Sequence, residues 1–225
     1  MYELIITNKN YSSWSMRAWV LMRQLGIAFN ERLLPYSPGA FKGVTPAGNV
    51  PCLVDGDTVV WDTTAITEYL AERHSGIWPE DARARAWARS AAAEMHSGFG
   101  ALRNECSMSV GVRVKRHGIS AALQANLDRL AELWAEGLTR HGGPFLGGAK
   151  FTAVDAFYVP VASRVQTYAL PLPAQAAAYA ARLLELPAAK QWIAAGIAET
   201  IRDAMHEEEV LSQGVLVEDL RASPG

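Results

Sequence analysis

The chain has little cysteine, no long apolar run and no excess of one sign of charge. Its 225 residues contain only Cys52 and Cys106, with no C-x-x-C spacing. A disulfide scaffold and a thiolate zinc cluster are both disfavoured by that count. Lys plus Arg total 21 and Asp plus Glu 23, a net charge of −2. Such a balance gives no electrostatic reason to expect nucleic acid or an anionic membrane as partner. No apolar stretch approaches the roughly 18 residues that a membrane span requires. The N-terminus lacks a basic segment and a small-residue cleavage site, which predicts a cytoplasmic chain. The five histidines show no H-E-x-x-H or other ligand spacing, so no metal is expected. Asn10-Tyr11-Ser12 matches a glycosylation sequon, but without secretion the match carries no meaning.

Half the residues are hydrophobic, enough for a substantial core, and the length suits division into two parts. The two parts have different rhythms. Residues 1–76 alternate between short β-rich runs (Glu3 to Thr7, Ala28 to Leu34) and helical spacing at Ala18, Leu21, Met22 and Leu25. Asp55-Gly56-Asp57 between two apolar runs predicts a hairpin. Asp62 to Arg73 has Ile66, Tyr69 and Leu70 on one helical face. The order is βαβ, an irregular loop, then ββα. Beyond Gly76 strand signals disappear, and 77–225 read as an all-helical part. Its stripes are Leu123, Leu127, Leu130 and Trp134; Val154, Phe157, Val161, Val165 and Tyr168; and Ile193, Ile197 and Ile201. Pro160 falls inside the second stripe and predicts a kink.

Three local features carry chemistry. Ser12, Ser13 and Ser15 cluster where a strand hands over to a helix. One seryl oxygen would cap the free N–H groups there; a further hydroxyl could face a ligand anion or thiolate at the positive helix end. Val50-Pro51-Cys52 opens a strand with proline, which cannot donate to the ladder. A trans bond is the ordinary case, whereas a cis bond would leave the Val50 backbone free for an extended peptide-like ligand. Asp62-Thr63-Thr64 precedes a helix, as a plain cap or as a carboxylate site built from the Thr63 hydroxyl and the first amides. Gly143 to Ala149 nearly fits a phosphate loop but has Ala149 where lysine is needed. Thr152 and Asp155 loosely fit a helix-capping box. His206-Glu207-Glu208-Glu209 reads as a solvated acidic patch, and Cys52 as a buried small hydrophobe.

In this order and spacing the features resemble the glutathione transferases over essentially the whole chain. Ser12-Ser13-Trp14-Ser15-Met16-Arg17 is most similar to the zeta class, the maleylacetoacetate isomerase-like group. Val50-Pro51-x-Leu53, Asp55-Gly56, Asp62-Thr63-x-Ala65-Ile66-x-x-Tyr69-Leu70 and Thr152-Ala153-Val154-Asp155 match further family motifs. The resemblance implies an α/β thioredoxin-like N-terminal domain over 1–76. It also implies an all-α C-terminal helical domain over 77–225 that contributes an electrophile pocket. Glutathione would be the cosubstrate, a small electrophile the second substrate, detoxification the role and a homodimer the assembly.

By position, the thiol-activating hydroxyl falls on Ser13, with Ser12 as rival. Ser15, Lys42, Val50, Pro51 (cis), Asp62, Thr63 and Asn104 fall in the glutathione site, and Trp14, Arg164 and Tyr168 beside the electrophile. Two departures matter. Trp14 stands where the zeta pattern has cysteine, which puts the isomerase reaction in doubt, and Asp62 replaces Glu or Gln. A non-enzymatic binding or regulatory relative is the remaining alternative; retention of Ser13 and Thr63 argues against it.

Overall fold

A computed structural model describes residues 1–223. The first part is built on a four-stranded sheet in the order β2-β1-β3-β4. Its strands are β1 (Tyr2–Ile6), β2 (Phe29–Leu33), β3 (Cys52–Asp55) and β4 (Thr58–Trp61). β1 runs parallel to β2 with Tyr2 opposite Phe29, and antiparallel to β3 with Leu4 opposite Leu53. The two central strands hold the apolar residues, so Leu4, Ile6, Cys52 and Leu53 are fully buried. The β3–β4 hairpin closes at Gly56, whose φ of +58° is a conformation that side chains with a Cβ resist. Helices α1 (Ser13–Gln24) and α2 (Thr63–Ala71) complete this part.

The second part contains α3 (Ala82–Ser97), α4 (Gly100–Glu105), α5 (Ala121–His141), α6 (Ala153–Tyr168), α7 (Ala174–Leu184), α8 (Pro187–Ala198) and α9 (Ala204–Ser212). α6 is its axis. Fourteen of its sixteen residues are buried, and it runs unbroken through Pro160. Trp134 of α5 packs edge-on against Tyr158 of α6 and Tyr179 of α7, with ring centroids at 5.6 and 4.8 Å. Asp155 at the start of α6 is wholly buried. It accepts from the backbone N–H of Leu146 and Thr152, the Thr152 hydroxyl and the Tyr179 hydroxyl.

Three features differ from the sequence reading. Pro79 to Cys106, Ala- and Arg-rich and so helix-favouring in sequence, is two helices, parted at Gly98 and at Phe99, whose φ is +54°. α8 stops at Ala198, which leaves Ile201 half-exposed in the following loop. The helical part also carries a two-stranded antiparallel ribbon, β5 (Val112–Arg116) with β6 (Gly214–Asp219). Only five residues alternate in β5, and their partner lies about a hundred positions later, so no local pattern announced the pairing.

The two parts share a core through α1, which packs on α6 and α8. Gly196 of α8 sits so close to the turn after β1 that a Cβ there would lie 2.7 Å from Val110 Cγ2 and 3.1 Å from the Lys9 and Asn10 backbone. That turn is further tied by the Trp192 indole N–H to the Lys9 carbonyl at 2.9 Å and by Lys9 N–H to Glu199 at 2.7 Å. Asn10 is fully buried, its Oδ1 accepting from Ser109, Val110 and Gly111. Among the described residues no helix is long and apolar enough to cross a membrane.

Candidate active site

The turn fixed in this way delivers the three serines, and each has a different job. Ser12 caps α1: its Oγ accepts from Ser15 N–H at 3.2 Å. The same hydroxyl donates to Ser15 Oγ at 2.8 Å, which in turn accepts from Thr7 N–H at 3.3 Å. Ser15 is fully buried in that chain and does not line the cavity. Ser13 takes the first helical position, and its side chain is left over for something else. It lines a cavity of about 610 Å³ between the two parts, and its Oγ lies 3.4 Å from Arg164 Nη2.

Across from Ser13 lie Val50 and Pro51, joined by a cis bond. Among the described residues Val50 makes no backbone–backbone hydrogen bond. Asp62, at the start of α2, has φ +73°, uncommon for a residue with a Cβ. One carboxylate oxygen accepts from Thr64 N–H at 2.8 Å and the other lies 3.4 Å from His96 Nε2. Thr63 is buried at the cavity wall, and its hydroxyl has no partner among the described residues. A buried hydroxyl without a partner is unusual in a folded protein.

The helical part supplies Arg103 and Asn104 from α4, Arg164 from α6, and His206 and Glu209 from α9. Trp14 lies edge-on to His96 at 5.1 Å and carries the Arg17 guanidinium on its face at 4.3 Å. Burial, with Arg164 and Arg103 nearby, pushes Arg17 down to about 9; burial pushes Arg164 down to about 10. Both stay cationic at neutral pH. Among the described residues neither Arg17, Arg103 nor Arg164 pairs with a carboxylate. The Ser13 end of the cavity is therefore positive, and the geometry suits an anion next to a hydroxyl at a helix N-terminus.

Trp14, Val50, Pro51, Asp62, Thr63, Asn104, Arg164, Ser12 and Ser13 all meet at this cavity. Lys42 is exposed on the loop before Val50, and Tyr168 is turned away, its hydroxyl donating to the Ser107 carbonyl at 2.6 Å; neither reaches the cavity lining. The His206–Glu209 segment is not a free acidic patch. His206 stacks on Tyr11 at 5.2 Å and meets Tyr36 edge-on, Glu207 accepts from the Tyr11 hydroxyl, and Glu209 accepts from Ser107. Sequence reasoning missed Arg103, which lines the cavity, and Arg17, which lies behind it on the Trp14 ring. Nothing nearby in sequence marked either as lacking an acidic partner.

A mixed four-stranded sheet, a cis-proline opening its third strand, a seryl N-terminus on its first helix and a helical bundle behind define a class of two-part proteins with a cavity at the join. The description "Glutathione S-transferase, N-terminal domain" matches residues 11–73, and "Glutathione S-transferase, C-terminal domain" matches residues 80–195. The chain belongs to the glutathione S-transferase family. Solved structures share its fold. A Burkholderia glutathione transferase homolog with bound glutathione superposes with a TM-score of 0.66 at 20% identity, covering 87% of this chain and 97% of the other. A theta-class enzyme from Xanthomonas axonopodis pv. citri, also with glutathione bound, gives 0.63 at 23% identity, with 85% and 96% covered. A tau-class enzyme from mango gives 0.65 at 20% identity, with 93% and 95% covered.

Proposed function

We propose that this chain is a glutathione transferase in which Ser13 holds the glutathione sulfur as a thiolate for attack on a small electrophile. One observation carries the reading: Ser15 is buried away from the cavity, and of the two serines that line it Ser12 is taken up by capping and by its bond to Ser15, which leaves the Ser13 hydroxyl for a ligand. A free thiol is mostly protonated at neutral pH. A hydroxyl donating to sulfur and the positive end of α1 both favour the charged form. Lowering a thiol pKa by about two units takes about 2.7 kcal/mol, within the range of one charge-assisted hydrogen bond plus a helix terminus. The thiol proton leaves to solvent. The sulfur then bonds to the electrophilic carbon, whose displaced electron pair goes to a leaving group or, in an addition, takes up a proton from water.

The other residues divide along the tripeptide. The Val50 backbone pairs with the cysteinyl unit. The Thr63 hydroxyl, which has no partner among the described residues, and the first amides of α2 take the γ-glutamyl carboxylate, with Asp62 toward its ammonium. Asn104 reaches the tripeptide from α4, while Trp14 and Arg164 wall the electrophile side. The Ser12-Ser13 motif supports a zeta-like type, and Trp14 in place of cysteine favours thiol transfer over isomerisation. Glutathione is the cosubstrate, and no metal enters the chemistry. A homodimer working in detoxification in the cytoplasm, where free thiols such as Cys52 and Cys106 persist, fits the same reading.

The test is ultraviolet difference spectroscopy of the protein with glutathione across a pH series. Thiolate absorbance should appear below the pH seen for free glutathione, and Ser13→Ala should move it back upward by at least about one unit, the helix terminus retaining the rest. The same shift in Ser12→Ala or Ser15→Ala but not in Ser13→Ala would refute the assignment. Turnover of an aryl halide compared with maleylacetoacetate separates transferase from isomerase.

A further inference from the structure

Arg164 is a buried cation with every nitrogen committed. Its Nε donates to the Cys106 carbonyl at 2.7 Å, and its Nη1 faces the Pro160 carbonyl at 3.4 Å and Met108 Sδ at 3.8 Å. Its Nη2 points at Ser13 Oγ at 3.4 Å. The guanidinium is thus clamped in one plane by backbone from its own helix and from the segment after α4, and the remaining edge of the fork is aimed at Ser13. A serine hydroxyl has one hydrogen and two acceptor lone pairs, and its rotor turns to suit its partners. An arginine donor on the acceptor side removes one way for that rotor to turn. The hydroxyl hydrogen is then directed away from Arg164, into the cavity.

We propose that Arg164 is a positioning residue for Ser13: by donating to Oγ it orients the seryl O–H toward the sulfur of bound glutathione, and by polarising that hydroxyl it makes it a stronger donor to a thiolate. The inference rests on the proposed role of Ser13 and adds to it a group from the helical part of the chain. Thiol activation then depends on α6 being docked against α1. Deformation of that packing would reduce activation without touching any glutathione contact. The charged and titratable neighbours of this pair are Cys106, Arg103 and Tyr168 toward Arg164, and Arg17 on α1.

The experiment is the thiolate titration applied to Arg164→Gln, Arg164→Lys, Ser13→Ala and the double variant Ser13→Ala/Arg164→Gln, with circular dichroism melts as the measure of folding. Arg164→Gln should raise the bound thiol's pKa by about one unit, a tenfold fall in its ionisation constant, while glutathione affinity at high pH changes less than about threefold. Arg164→Lys should behave in the same way, since one ammonium cannot span the Cys106 carbonyl and Ser13 together. It also supplies the measurement if the glutamine variant does not fold. In the Ser13→Ala background, Arg164→Gln should add less than about twofold.

Three results would overturn the proposal. One is an unchanged titration in a folded Arg164 variant. Another is an equal effect with and without Ser13, which would mean that the charge acts on the sulfur directly. The third is a wild type that does not lower the thiol pKa at all, which would also bring down the reading of Ser13. In the first two results wild type still ionises the thiol, so the two failures are distinguishable.

Discussion

Asp155 sets two large effects against each other, and their balance can be measured. Burial pushes its carboxyl up to about 6, against the opposing pull of Leu146 N–H, the Tyr179 hydroxyl and the Thr152 donors. An aspartate with a raised pKa in the folded state makes stability greatest at low pH and loses it as pH rises from the unfolded value toward the folded one. Between about pH 4.5 and about pH 7.5 that loss amounts to about 2 kcal/mol.

Asp155→Ala removes the acceptor of two backbone N–H groups and one tyrosine hydroxyl, all buried. Each orphaned donor costs about 1–3 kcal/mol, so the variant should be about 4 kcal/mol less stable at about pH 4.5. At about pH 7.5 it also escapes the cost of holding a buried charge, and the deficit should shrink to about 2 kcal/mol. Urea unfolding of both proteins at both pH values, with equal m-values, reads the difference directly. A deficit that grows with pH would refute the reasoning, because it would mean that the four donors outweigh burial and hold the carboxylate ionised.

Ser15→Ala should cost about 1–2 kcal/mol by leaving the buried Thr7 N–H unpaired, yet move the bound-thiol titration by less than about threefold; denaturation and difference spectroscopy together check this. Thr63→Val keeps the shape and removes a hydroxyl that has no partner among the described residues. Stability should hold or rise by up to about 1 kcal/mol, while the glutathione Kd rises about tenfold in titration calorimetry. Gly196→Ala drives a methyl against Val110 and the Lys9–Asn10 backbone, so a loss of about 1–3 kcal/mol is expected in thermal or urea unfolding. A Tm equal to wild type would show that α8 can move away from the turn.

Much of this molecule was readable along the chain because the interactions involved are local. Turn chemistry marked the Asp55–Gly56–Asp57 hairpin, helical spacing marked the Leu123 to Trp134 face, and hydroxyl or carboxylate side chains marked the starts of α1, α2 and α6. Each depends on residues within one turn or one hairpin of each other, where sequence separation and spatial separation coincide. The recognisable order of those starts was enough to suggest the family and, through it, nine of the residues that line the cavity.

Which serine at the cavity meets a distant partner was not local. Ser12, Ser13 and Ser15 are chemically equivalent until the helix begins, and the placing of the cap at Ser12 and of Thr7 on Ser15 selects among them. Arg164 meets Ser13 across 151 positions, and β5 finds β6 across about a hundred. Lys42 and Tyr168 were also expected at the site, but Lys42 stays exposed on its loop and Tyr168 is turned to the Ser107 carbonyl. Local hydrogen bonds and periodicity follow from neighbouring side chains. The partner of a buried charge, by contrast, is decided only when distant segments compete for the same space, and that competition exists only in the folded chain.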